Sequence, residues 1–138
     1  MPLKISFYLI EKSTQRQAEI ACRLCLKIHN QHRIWLYFSA SDKCSEINTL
    51  LWQYDATSFL AHGIDHIHAP ICLSTKLPHA DFDVCFNFSD QPITLTELTH
   101  SALHLIEIVD NNEQAKALAR EKFKYYRQQG IEAIVHHI

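Results

Sequence analysis

Cys22 and Cys25 stand in CxxC spacing, a pattern that supports redox or metal chemistry when the thiols are accessible. Both fall in a segment that reads as a helix, where three residues advance about 300°. They therefore share one face with Ala18, Ala21 and Ile28, and small side chains there let a helix pack closely on a sheet. A zinc site would need two further ligands, and the sequence holds no second CxxC. The pair reads as core.

His62, His66 and His68 form HxxxHxH, followed by His79, Asp81 and Asp83, donor types that a transition metal accepts. The stretch has no helical period to set the imidazoles on one side, so solvation and ordinary hydrogen bonds account for them. A metal-dependent enzyme using His62, His66, His68, Asp81 and Asp83 stays open as the alternative, beside direct binding of single-stranded DNA. Nucleotide chemistry is disfavoured on other grounds. The turn after Ile10 reads EKSTQRQ, the chain has two glycines, Gly63 and Gly130, and neither GxGxxG nor GxxxxGK[ST] occurs. Backbone N–H cradles for phosphate need such glycines. No Ser or Cys sits beside a recognisable base in a strained turn. No catalytic residue, cofactor or metal is expected.

The third candidate is cationic. Asp110 to Gln129 reads as a long helix, with Asp110 and Glu113 placed to cap its start and Gly130 to end it. At 100° per residue Ala115, Ala119, Phe123 and Tyr126 fall on one arc, while Lys116, Arg120, Lys124 and Arg127 fall on a neighbouring arc of about 80°. Few acids interleave to relieve the repulsion among these cations. Phe123 lies where the two arcs meet. A solvated helix face satisfies the periodicity; so does a dock for an acidic peptide with an apolar anchor, held by charge-assisted hydrogen bonds.

Positioning such groups requires covered layers. Leu3 to Ile10 and Arg33 to Ser39 read as strands with both faces apolar, as in a sheet flanked by helices. Phe82 to Phe88 alternates, with Phe82, Val84, Phe86 and Phe88 on one face, and Ile67 to Leu73, Leu103 to Val109 and Ile131 to Val135 complete the strand candidates. Helices are expected from about residue 15 to Asn30, opened by a Thr14–Gln17 capping box, from Asp42 to Gln53 and from Thr94 to His100. The second of these puts Ile47, Leu50, Leu51 and Trp52 on its apolar side. Tyr54 to Gly63 reads as a loop. Strands alternating with helices give an α/β sandwich, a single domain over residues 1–138 with a largely parallel central sheet.

Composition narrows the class further. A chain of 138 residues with 47% hydrophobic side chains can build a sizeable core. A formal charge of -2 gives no reason to expect direct contact with nucleic acid. Five cysteines make no disulfide framework, no secretory leader is evident at the start, and no apolar run approaches a membrane span. The expected setting is a reducing cytoplasm.

The chain resembles the chi subunit family of the bacterial DNA polymerase III holoenzyme, the accessory proteins of its clamp loader. The resemblance runs through FYLI (Phe7 to Ile10), LLWQYDATSFLAHG (Leu50 to Gly63), DVCFNF followed by Pro92, and ALAREKFKYYRQQG (Ala117 to Gly130). It implies a nucleotide-binding-like topology without a phosphate loop, and an adaptor role in replication and repair. The implied partners are the acidic, hydrophobic C-terminal tail of single-stranded DNA-binding protein and the psi subunit, with a repair helicase in place of psi in some bacteria. DNA is engaged only indirectly. Residue by residue, the tail site falls on Val109, Lys116, Arg120, Phe123 and Lys124, and the psi or helicase site on Trp52, Phe59, Ala61 and His62. Phe123 stands where the family often has Tyr, which keeps a ring contact without a hydroxyl. Ala61 stands where many members have Pro, which leaves the loop less rigid. For Trp52 a core position is the rival reading.

Overall fold

The computed structural model describes residues 3–54, 61–78, 82–98 and 104–138. Chain order is β1 (Lys4–Leu9), α1 (Gln17–Ile28), β2 (Ile34–Tyr37), α2 (Ser41–Tyr54), β3 (His62–Ile64), β4 (Ile71–Ser74), β5 (Val84–Asn87), α3 (Leu95–Leu98), β6 (His104–Val109), α4 (Glu113–Gln128) and β7 (Ile134–His137). The strands form one seven-stranded sheet in the order β3-β4-β2-β5-β6-β1-β7, and every pairing is parallel. The expected α/β sandwich with a parallel sheet is what the chain forms.

The path of the chain explains its layers. From β1 the chain steps by way of α1 and α2 to β2 and then to the β3 edge, and later returns by way of α3 and α4 towards β7. Right-handed crossovers in opposite directions must lie on opposite faces of a sheet. Accordingly Ile20, Ala21, Cys22 and Cys25 of α1, with Cys44, Ile47 and Leu51 of α2, pack against Ile34, Leu36, Ile71, Leu73, Phe86, Ile106 and Ile108. On the other face Leu95 and Leu98 of α3 and Tyr126 of α4 pack with Ile5, Phe7, Trp35, Cys72, Cys85, Leu105 and Val109. Cys22 and Cys25 are fully buried core side chains, as the helical phase requires. Burial pushes the Cys22 thiol up to about 12 and raises Cys25 as well.

Several local expectations are corrected. α1 begins at Gln17, not at a Thr14 capping box: Arg16 takes the N-cap position, its N–H donating to the Glu19 carboxylate at 3.4 Å. α4 begins at Glu113 and is capped by Asn112, whose side chain accepts the Ala115 N–H at 2.8 Å, so Asp110 is free to act elsewhere. Phe82 does not share a face with Val84, Phe86 and Phe88; it precedes β5 and packs edge-on against Trp35 in the opposite layer. The segment read as a loop to Gly63 contains β3 from His62, an edge strand too short for alternation to announce. Gly130, with φ at +89°, ends α4 as expected. Gly130 N–H bonds the Arg127 carbonyl and Ile131 N–H the Tyr126 carbonyl, the paired bonds of a Schellman motif.

Candidate protein-docking sites

β1 and β6 are neighbours whose following helices lie on opposite faces, so the sheet has its topological switch point between them. In open α/β sheets a crevice opens beyond the strand C-termini at that point, and ligands bind there. A cavity of about 340 Å³ occupies this position. Its strand side is Phe7, Leu9 and Ile10 with Glu11 from β1 and its exit, Val109 and Asp110 from β6 and its exit, and Val135 from β7. Its helix side is Lys116, Ala119, Arg120 and Phe123 of α4. Parallel register sets these in rows, with Phe7 opposite Glu107 and Val135, and Leu9 opposite Val109.

Four of the five residues assigned to the tail site thus meet in one cavity: Val109, Lys116, Arg120 and Phe123. Lys124 is not among the lining residues. It is exposed and pairs with Glu121 one turn away at 3.7 Å. Lys116 and Arg120 have no ion-pair partner among the described residues. The two acids at the cavity are engaged, since Asp110 accepts the Gln17 N–H at 2.7 Å and Glu11 pairs with the His137 ring. Both acids thus have hydrogen-bonding partners within the fold, whereas the two cations stand beside an apolar wall without an ion-pair partner among the described residues. Phe123 is tilted against Phe7 with ring centroids 5.7 Å apart, which fixes its ring at the cavity.

The second assigned site is partly described. Phe59 lies outside the described residues. Trp52 is 59% exposed on α2, which corrects both its placement on the apolar side of that helix and the core reading. Its ring meets His62 at 4.3 Å between centroids. His62 is 8% exposed and donates from Nε2 to the Asn48 carbonyl at 3.2 Å, with Ala61 exposed beside it. This patch flanks the β3 edge, five strand spacings from β1, or roughly 24 Å.

Among the described residues the histidine and carboxylate alternative does not come together. His62 packs on Trp52, His66 and His68 are exposed, and Asp83 accepts the Arg33 N–H at 2.8 Å. His62 and Asp83 flank strands three spacings apart, roughly 14 Å. His79 and Asp81 lie outside the described residues. Among the described residues no group of three His, Cys, Asp or Glu side chains is placed to hold a metal ion.

Sequence reasoning missed a buried polar group beside the cavity. Lys122 and Glu107 form an ion pair at 2.8 Å under α4, with Lys122 8% and Glu107 2% exposed. Two signals pointed to it: Lys122 falls within about 20° of Ala115 on the apolar arc, and Glu107 is the one charged residue inside an otherwise apolar strand.

Comparison with known proteins places the chain in a family. The sequence model described as DNA polymerase III chi subunit, HolC, matches residues 2–133. The chain is 26% identical over 133 residues to a protein of Pseudomonas aeruginosa named DNA polymerase III subunit chi, covering 92% of this chain and 91% of the relative. It is 27% identical over 132 residues to a Haemophilus influenzae protein of the same name, covering 90% of each.

Proposed function

The chain belongs to the DNA polymerase III chi subunit family, and on that premise we propose that it is a docking subunit with no catalytic centre of its own. Its cavity at the switch point receives the acidic C-terminal tail of single-stranded DNA-binding protein. Lys116 and Arg120 hold the tail's carboxylates by charge-assisted hydrogen bonds, Phe123 and Val109 take its terminal ring, and Lys124 adds attraction from outside the cavity. The Trp52, Phe59, Ala61 and His62 patch receives the psi subunit, or a repair helicase competing for the same surface. Linking the clamp loader to protein-coated single strands raises its local concentration at the fork. The chain works in the cytoplasm and touches DNA only through its partners. Among the described residues no helix is long and apolar enough to cross a membrane.

One observation carries this reading: two cations without ion-pair partners among the described residues and an aromatic ring converge on one apolar cavity. The test is a fluorescence-anisotropy titration of a labelled tail peptide with the wild-type chain. Saturable binding at moderate salt is expected, and its absence removes the tail from the site.

A further inference from the structure

The N-terminal half of α4 is undercut on both flanks. One flank is the 340 Å³ cavity; the other is a second cavity of about 200 Å³, reached by Gln114 and Leu118 of α4 and by Gln17 and Lys43 across from it. Between the two, Ala115 and Ala119 are the side chains packed towards the sheet, and a methyl group buries little area. Aromatic packing is confined to the C-terminal half, where Phe123 and Tyr126 meet Phe7.

What holds the middle of α4 is ionic. Lys122 Nζ donates to Glu107 Oε1 at 2.8 Å and to the Ser89 carbonyl at 2.7 Å. Glu107 Oε2 accepts from the Tyr126 hydroxyl at 2.7 Å and from Asn87 Nδ2 at 2.8 Å. The Tyr126 hydroxyl in turn accepts the Ile93 N–H at 3.1 Å. Burial pushes the Glu107 carboxyl up, and the Lys122 ammonium and the Tyr126 and Asn87 donors work against that push. Removing one partner would leave the other buried and uncompensated.

The pair also joins the two walls of the cavity. Glu107 lies two residues from Val109 on the same face of β6, and Lys122 adjoins Phe123 on α4. We propose that Glu107 and Lys122 are positioning residues: they fix α4 over β6 and so set the width of the cavity that receives the acidic peptide. The occupant rests on the reading above; the hold on α4 does not.

A pair that merely added stability would not change affinity, because well below the melting temperature nearly every molecule is folded either way. The test is the combined variant Glu107→Gln, Lys122→Met, which removes both charges and keeps an amide oxygen for Tyr126 and Asn87. Two readouts are taken at 25 °C: anisotropy of the labelled tail peptide, and hydrogen exchange of α4 amides without peptide. The expected result is a folded protein with affinity lowered about fivefold or more and faster exchange in the first turns of α4. Should the combined variant not fold, Lys122→Arg, which keeps the charge but moves the donor, gives the same two readouts. Wild-type affinity in the folded variant overturns the proposal, whether or not exchange changes. If the wild-type chain itself binds no tail peptide, the reading of the occupant fails. The positioning role is then decided by exchange alone: faster exchange confined to α4 supports it, and unchanged exchange, or exchange raised equally across the sheet, overturns it.

Discussion

The Asp110 carboxylate accepts the backbone N–H of Gln17 at 2.7 Å, so an acidic side chain from the end of β6 sits on the first turn of α1. The Gln17 side chain returns the contact, donating from Nε2 to the Ile108 carbonyl at 2.9 Å. In nucleotide-binding α/β folds this helix turn is where phosphate meets unpaired N–H groups. Here the chain supplies its own anion.

The first prediction follows from that contact. Asp110→Ala removes a cap that joins two elements, and should destabilise the fold by about 1 kcal/mol. Urea denaturation should show a lower midpoint with an unchanged slope. Calorimetric titration of the wild-type chain with Mg-ATP should give no binding heat; micromolar affinity would refute the docking-only account.

The second prediction concerns the thiols. Cys22, Cys25, Cys44, Cys72 and Cys85 are all buried, and burial raises each of them, Cys72 to about 11 and Cys22 to about 12. Only the thiolate is nucleophilic, so a disulfide reagent at pH 8 should react slowly with native protein and fully after denaturation. A folded pKa raised above the unfolded 9.0 gives stability that is complete below that value and lost as pH rises through the folded one. Melting temperature should therefore fall as pH climbs above about 9, and less steeply for Cys25→Ala.

How much of this was legible in sequence depends on how local the cause was. Strand β1 and helix α4 could be read because their patterns are self-contained: apolar residues on both faces of one, two arcs and a terminal glycine on the other. Lys116, Arg120 and Phe123, which line the cavity, stood out on that helix for the same reason. Asp110 was misread as the cap of its own following helix, because the Gln17 N–H that it meets lies far back in the chain. Glu107 and Lys122 were each anomalous alone, yet only the folded pairing of β6 with α4 makes them a pair. Trp52 looked apolar by type, whereas its exposure is set by where α2 ends against the β3 edge.

A third prediction tests whether the two docking sites are separate. The Trp52 patch and the switch-point cavity lie towards opposite edges of the sheet, so their energies should be nearly additive. Trp52→Ala should keep stability within about 0.5 kcal/mol, since an exposed ring contributes little to the core. It should abolish capture of psi or the competing helicase, as aromatic anchors dominate interfaces. Tail-peptide affinity should not move. A folded Trp52→Ala protein that also loses the peptide would merge the two sites.

The central claim is that the α4 face binds the tail through groups that line the cavity, and one measurement addresses it most directly. Anisotropy titrations of the labelled tail peptide would be run at moderate salt on wild type, Arg120→Ala and Lys124→Ala. Arg120 lines the cavity without an ion-pair partner among the described residues, so its removal should weaken binding by about 1.5 to 3 kcal/mol, the range for hydrogen bonds to charged groups. Lys124 is exposed and paired with Glu121, so its removal should cost under about 1 kcal/mol and less still at high salt. That ordering is the predicted result. Equal affinity for wild type and a folded Arg120→Ala protein would contradict the account.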